Sequence, residues 1–143
     1  MAKHTIKVKK YSDVIEEYTS TAVEITPGAL IELTSAGLVQ ACNNTTGPTL
    51  PMFALEDELQ GNGIDINYAV SVKVQCWIPG RGDMVYALLK NGENIAIGDW
   101  VESAGDGSVQ KFTSRPALGV AVEAVDDSGS SGTDTGRIII RIN

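Results

Sequence analysis

The side chains that could support catalysis are few and scattered in this sequence. The only histidine is His4, close to the first residue, so a Ser–His or Cys–His nucleophile has almost no candidate base. Three acids are adjacent at Glu56–Glu58. We interpret them as solvated charge on a surface element, because general acid–base catalysis needs carboxylates that face each other across a cleft. We therefore expect no enzymatic activity and no cofactor.

Metal-binding patterns are equally weak. Asp126, Asp127 and Asp134 lie in a glycine-rich segment and could meet Ca²⁺, but their spacing matches no regular calcium loop. The two cysteines, Cys42 and Cys76, are far apart in a chain with no visible secretory signal. This pattern favours buried, reduced thiols over a disulfide or a metal site. We expect no bound metal.

Composition narrows the class of partner. The chain has 143 residues, enough for one domain with a substantial core. Its net charge of −7 argues against general binding to nucleic acid. Apolar runs such as Val85–Leu89 are far shorter than the roughly 18 residues that a membrane span requires. We therefore expect neither nucleic acid nor a membrane as a partner.

The first 21 residues are predicted to form an N-terminal arm, and residues 22–143 the β domain. The arm is basic, because no acid precedes Asp13. Its basic and apolar side chains are Lys3, Ile6, Lys7, Val8, Lys9 and Lys10. Apolar and basic residues alternate here, which is typical of a strand, and a lone terminal strand needs a partner to pair with. The arm is therefore suited to docking by strand addition, and the alternative is a frayed terminus.

The body of the chain uses one sequence pattern twice. Pro27–Gln40 and Ile97–Gln110 each contain a leading glycine, a short apolar strand with a glutamate, Ser-Ala-Gly, and an exit strand that begins Val-Gln. This order predicts a β-hairpin with glycine at the turn. We expect Glu32 and Glu102 to face solvent. Gly82–Val85 resembles the leading part as a third, weaker copy.

Alternating segments separated by turn signals predict an all-β fold. The clearest is Tyr68–Ile78, in which valines and a cysteine alternate with polar residues. Counting similar segments gives about eight to ten short antiparallel strands, as in a compact β-sandwich or β-barrel. One short helix is expected over Phe53–Gln60, ended by Gly61. The Arg-Gly-Asp tripeptide within Gly80–Asp83 is interpreted as a turn.

Several segments together resemble the tailed-phage capsid decoration, or cement, proteins. They occur in the order Pro27–Gly37, Phe53–Asp65, Gly82–Leu89, Ile97–Asp99 and Ser103–Gly107. The family includes the lambdoid head-decoration proteins, whose composition is similar. Those proteins have a β-clip-like fold and sit as trimers on the outside of the mature head, at its local three-fold positions. The resemblance implies a β-clip-like fold for this chain.

The resemblance also implies a function. It indicates a virion structural protein on the head surface, made in the host bacterial cytoplasm. Its expected partners are the major capsid protein and further copies of itself, with a trimer favoured. The arm would order against the capsid and add a strand to it. Other contacts with the capsid or between copies are expected from the large apolar side chains of Phe53, Leu59, Trp77 and Trp100.

Two rival functions remain at this stage. The first is a β-sandwich binding module on a virion surface that recognises a carbohydrate or a host receptor. It would need an exposed aromatic platform, for which Tyr68, Trp77 and Trp100 are the candidates. The second is a small β-barrel hydrolase of the dUTPase-like sort, which only fold analogy suggests. The sequence shows no convincing acid–nucleotide pocket to support it.

Overall fold

The computed structural model of the protein describes residues 3–9, 13–129 and 136–143. The described chain is nearly all β, so the predicted fold class is confirmed. Within these residues no helix is long and apolar enough to cross a membrane. The strands are β1 (Lys7–Lys9), β2 (Ile15–Thr19), β3 (Ile31–Leu33), β4 (Val39–Ala41), β5 (Phe53–Ala54), β6 (Lys73–Trp77), β7 (Met84–Leu89), β8 (Asn94–Ile95), β9 (Trp100–Ser103), β10 (Val109–Lys111), β11 (Ala117–Ala121), β12 (Val125–Asp126) and β13 (Gly136–Ile142).

Five strands close into a barrel. β7, β10, β9, β11 and β13 are neighbours in that order, and β13 pairs with β7 to complete the ring. Closure leaves no free sheet edge in the ring. The pairs are antiparallel except β10 with β7, which is parallel where Val109 meets Leu89. The interior is filled by alternate apolar residues, among them Val85, Ala87, Leu89, Val101, Val109, Leu118, Ile138 and Ile140.

A smaller group of strands has a core of its own. β2, β6 and β5 form one sheet, and β3 and β4 form a hairpin. Single bridges join the two, from Leu30 to Phe53 and from Ser20 to Val39. Their apolar side chains form a second core, which also includes Leu88 of the barrel strand β7. The two cores are therefore joined through the wall of the barrel.

The helix expected over Phe53–Gln60 is wrong. Its first two residues form strand β5, which pairs with β6 so that Phe53 lies opposite Trp77. Only Glu58–Gln60 is helical, as a single 3₁₀ turn that ends at Gly61 in the left-handed conformation. Tertiary pairing has overridden the local helix propensity, because a buried strand gains contacts that an isolated two-turn helix lacks.

The described part of the N-terminal segment pairs with the rest of the chain. β1 is antiparallel to β7 of the barrel, and β2 is antiparallel to β6. Ile6 is fully buried in the barrel core, and its N–H donates to the Glu56 carboxylate at 2.8 Å. The prediction that Ile6 contacts a partner is therefore wrong in this conformation. Lys10 lies outside the described residues.

Candidate functional site

The two copies of the repeated pattern form the same hairpin, as predicted. Glu32 on β3 lies opposite Gln40 on β4, and Glu102 on β9 lies opposite Gln110 on β10. In each pair the glutamine side-chain amide donates to the glutamate carboxylate, at 3.3 Å in the first copy and 2.7 Å in the second. The spacing from glutamate to glutamine is the same in both copies, and it therefore produces the same cross-strand hydrogen bond, which we call the Glu–Gln clasp.

The leading glycines also share one geometry. Gly28, Gly82 and Gly98 have φ values of 92°, 93° and 90°, which side chains rarely adopt. Asp83 and Asp99 follow the last two and accept the backbone N–H three residues earlier, at 2.8 and 2.9 Å. Gly82–Val85 is thus a third copy of the leading turn. The Arg-Gly-Asp tripeptide belongs to this turn, and its aspartate is only 1% exposed.

Glu102 is fully buried, so the expectation that it faces solvent is wrong. Besides Gln110, its carboxylate accepts the Thr113 hydroxyl at 2.8 Å. It also accepts the backbone N–H groups of Ser114 and Arg115 at 3.2 and 2.7 Å. Burial acts to raise the pKa of Glu102, but these hydrogen bonds outweigh it and lower the pKa to about 2. The group is structural, since three of its four hydrogen bonds hold the loop after β10 and the fourth joins β9 to β10.

A different surface is available to partners, on the outer wall of the barrel. Trp100, Val120, Arg141 and Met84 lie in one register row across β9, β11, β13 and β7. They face outward because the residues that alternate with them fill the core. Trp100 is 45% exposed. We call this row, together with Arg81, the Trp100 wall. Arg81, Trp100, Val120 and Arg141 line a shallow groove of about 220 Å³.

The Trp100 wall is basic although the chain as a whole is acidic. Arg81 is exposed, and Arg141 makes one hydrogen bond to the Gly82 carbonyl at 3.3 Å. The nearby carboxylates are occupied, since Asp99 pairs with Lys111 at 3.0 Å and Asp83 is buried in its turn. The wall therefore presents an exposed indole and two arginines on one groove, a combination suited to binding an acidic protein surface.

The other predicted contact residues divide sharply by exposure. Phe53 and Trp77 are fully buried, so the prediction that they contact a capsid or another copy is wrong. Leu59 is 76% exposed and is accessible. Tyr68 is only 3% exposed, so the aromatic platform expected from Tyr68, Trp77 and Trp100 together does not form.

The lysines predicted for the arm lie mostly at the surface. Lys3 and Lys9 are exposed, whereas Val8 and Lys7 are half-buried. The Lys7 ammonium forms an ion pair with Asp13 at 3.4 Å. Two of the described arm lysines, Lys3 and Lys9, are therefore at the surface.

Reactive groups are held in the interior. Cys42 and Cys76 are buried and free, as predicted, and burial raises the pKa of the Cys76 thiol to about 11. Within residues 3–9, 13–129 and 136–143, no group of three or more His, Cys, Asp or Glu side chains is placed to hold a metal ion.

Comparison with known proteins adds no family assignment. No protein-family model matches the sequence, and no curated protein matches it.

Proposed function

We propose that this protein is a virion structural protein that binds the outer surface of a phage head and stabilises the capsid as a decoration, or cement, protein. The observation that carries the proposal is the Trp100 wall, an exposed indole with two arginines on a closed barrel. Tryptophan and arginine are the residue types that most often dominate binding energy at protein interfaces. The resemblance of Phe53–Asp65 and its neighbouring segments to cement proteins directs this surface toward a capsid.

Rigidity supports the same proposal. The row that carries Trp100 is set by hydrogen-bonded strands of a closed ring, so the backbone positions of the row are fixed before binding. A preorganised surface loses little conformational entropy on association. A head offers many equivalent sites, and modest affinity at each of them adds up over the shell.

Charge indicates which part of the partner is bound. Arg81 and Arg141 lie on the wall, whereas the chain carries a net charge of −7. The matching surface on the major capsid protein is therefore acidic, since like charges across an interface oppose association. Lys3 and Lys9 are exposed at the N-terminal segment and add to the same attraction.

Copies of the protein associate on the head in this proposal, with a trimer favoured. Leu59 is the predicted contact residue that remains most exposed outside the Trp100 wall. It lies in the 3₁₀ turn within the segment that resembles cement proteins. A large apolar side chain at such a position is suited to a contact between copies.

Binding to bare expanded heads tests the proposal. Trp100→Ala and Arg81→Glu are each mixed with heads, and binding is followed by sedimentation and cryo-EM. We expect Trp100→Ala to weaken binding about tenfold or more, because it removes an interface anchor. Leu50→Ala is the control, since Leu50 is 60% exposed and lies outside the wall. Equal binding by both wall variants and the parent chain would refute the proposed surface.

The N-terminal contribution needs a separate variant. Deleting the first twelve residues would remove Ile6 from the core, so a loss of binding could reflect unfolding. Lys3→Glu combined with Lys9→Glu reverses two exposed charges and leaves Ile6 in place. We expect this variant to bind heads more weakly than the parent chain does. We also expect added salt to weaken binding more for the parent chain than for the variant.

A further inference from the structure

A second concave surface shares no residue with the Trp100 wall. It is an open groove of about 350 Å³, within the range of roughly 300–1,000 Å³ of small-molecule sites. Its polar side chains are those of Asp57, Gln60, Asn62, Asn67, Tyr68 and Lys73, and Val72 adds an apolar patch. We call it the amide groove, after its three carboxamide side chains.

The polar side chains of the amide groove have almost no structural role. Within the described part of the chain, Asp57, Gln60, Asn62 and Lys73 make no side-chain hydrogen bond or ion pair. Asn67 donates its amide to the Glu24 carboxylate at 3.3 Å, and the Tyr68 hydroxyl donates to the Leu55 carbonyl at 2.8 Å. Aspartates elsewhere, by contrast, fix turns by accepting backbone N–H groups. The groove therefore gathers donors and acceptors that the fold itself does not use.

One wall of the groove is held in place from inside the protein. Ser20 is 1% exposed; its hydroxyl donates to the Ala69 carbonyl at 3.2 Å and accepts the Val72 N–H at 3.1 Å. Between them, Ser71 has φ of 56°, a positive value that no other non-glycine residue in the described part of the chain adopts. Such strain persists where the surrounding structure enforces it, and it is concentrated at functional sites.

The charge and hydrogen-bonding capacity of the groove define its ligand. Asp57 and Lys73 carry opposite charges, so the groove has no net charge to attract an ion. Carboxamides both donate and accept, which matches hydroxyl groups. Val72 is 36% exposed and can contact the C–H face of a ring. We propose that the amide groove binds a neutral saccharide, whose hydroxyls are held by Asp57, Asn62 and Asn67.

Other ligand classes fit the groove less well. Asp57 opposes an anion, and the polar lining opposes a hydrophobic molecule because its donors and acceptors would lose water without replacement. A zwitterionic amino acid would satisfy Asp57 and Lys73 but would leave the carboxamides of Gln60 and Asn62 unused. The saccharide proposal is independent of head binding, since it uses no residue of the Trp100 wall.

Titration of the purified full chain with neutral trisaccharides tests the proposal. The probes are maltotriose, mannotriose and chitotriose, and glycine is the zwitterionic comparison. In ¹H–¹⁵N spectra we expect at least one saccharide to shift the side-chain amide signals of Gln60, Asn62 and Asn67. Binding should be weak, with a Kd on the order of millimolar, as is usual when few contacts are made.

Variants locate the binding. Asp57→Ala and Asn62→Ala should each weaken saccharide binding about tenfold, the effect of losing one hydrogen bond. Asp65→Asn and Lys90→Ala should leave it unchanged, because both side chains are exposed and neither lines the groove. The proposal is overturned if no probe shifts these signals, if glycine alone does, or if the groove variants bind like the controls.

Discussion

The first and second hairpins share one sequence pattern and one clasp, yet their glutamates have different surroundings. Glu32 is half-buried and accepts Gln40 and the backbone N–H of Asn43. Glu102 is fully buried and accepts four hydrogen bonds. Three of them come from residues 113–115, in the loop that follows β10. The local sequence therefore determines the hairpin and its clasp. Whether the clasp is buried depends on the loop that follows the hairpin.

The two hairpins also contact each other, through the turn of the second and the base of the first. The turn of the second hairpin packs on the base of the first, where Gly107 accepts the Leu30 N–H at 2.8 Å and donates to the Cys42 carbonyl at 3.1 Å. A Cβ on Gly107 would lie 3.0 Å from that of Ala41. The second hairpin thus serves as a wall of the barrel and a support for the first.

Replacing the buried glutamate should give the largest effect. Glu102→Gln keeps the shape but points an NH₂ group at one pair of donors, so two hydrogen bonds to the carboxylate are lost. We expect the free energy of unfolding to fall by about 3 kcal/mol, as for lost buried hydrogen bonds to a charged group. Urea denaturation measures it. A loss as small as that of a surface substitution would contradict the structural role of Glu102.

The leading glycines of the two hairpins differ in how closely they are surrounded, and here the first hairpin is the more crowded. A Cβ at Gly28 would lie 2.4 Å from the Arg137 guanidinium and 3.0 Å from the Tyr86 carbonyl oxygen, whereas nothing lies within 4 Å at Gly98. Both positions have positive φ. We expect Gly28→Ala to cost about 3 kcal/mol and Gly98→Ala about 1 kcal/mol, the latter from backbone strain alone.

Thermal denaturation of both alanine variants tests that order. Arg137 holds its position through hydrogen bonds to the Pro27 and Ile64 carbonyls at 2.7 and 2.9 Å, so it cannot move without breaking them. If Gly98→Ala were the more destabilising, the close approach at Gly28 would not be the cause.

The pH dependence of stability should identify the ionised form of Glu102. Its pKa is lowered to about 2 in the folded chain from an ordinary 4.5. The folded state therefore favours the carboxylate, so this contribution is complete above pH 4.5 and is lost as pH falls toward 2. We expect the stability difference between the parent chain and Glu102→Gln to shrink over that range. Urea titrations at several pH values measure it, and a constant difference would contradict this assignment.

Much of the fold follows from local sequence signals. Alternation, the glycine turns and the clasp spacing predict the hairpins and the all-β class, because each depends on residues close in sequence. The helix over Phe53–Gln60 failed since its apolar residues gain more by pairing with β6, which lies later in the chain. The closed ring depends on pairings such as Gly136 with Leu89, which no local pattern specifies.

The surfaces were harder to predict than the elements. Trp77 and Trp100 look alike in the sequence, at strand ends near turns, yet one is fully buried and the other is 45% exposed. Arg141 was missed, although it follows three isoleucines at a position that alternates outward. The amide groove joins the segment after Asp57 to the turn before Lys73, and only the fold brings these together.

The smallest effect is expected at the exposed clasp, and it tests the comparison most closely. Glu32→Gln leaves an amide that can still meet Gln40, and solvent reaches the site because Glu32 is half-buried. The Asn43 N–H, donated at 2.8 Å, can bind water or the remaining carbonyl oxygen instead. We expect a loss of about 0.5 kcal/mol, measured by urea denaturation beside Glu102→Gln. Equal losses in the two variants would mean that the clasp itself, rather than its burial, determines the energy.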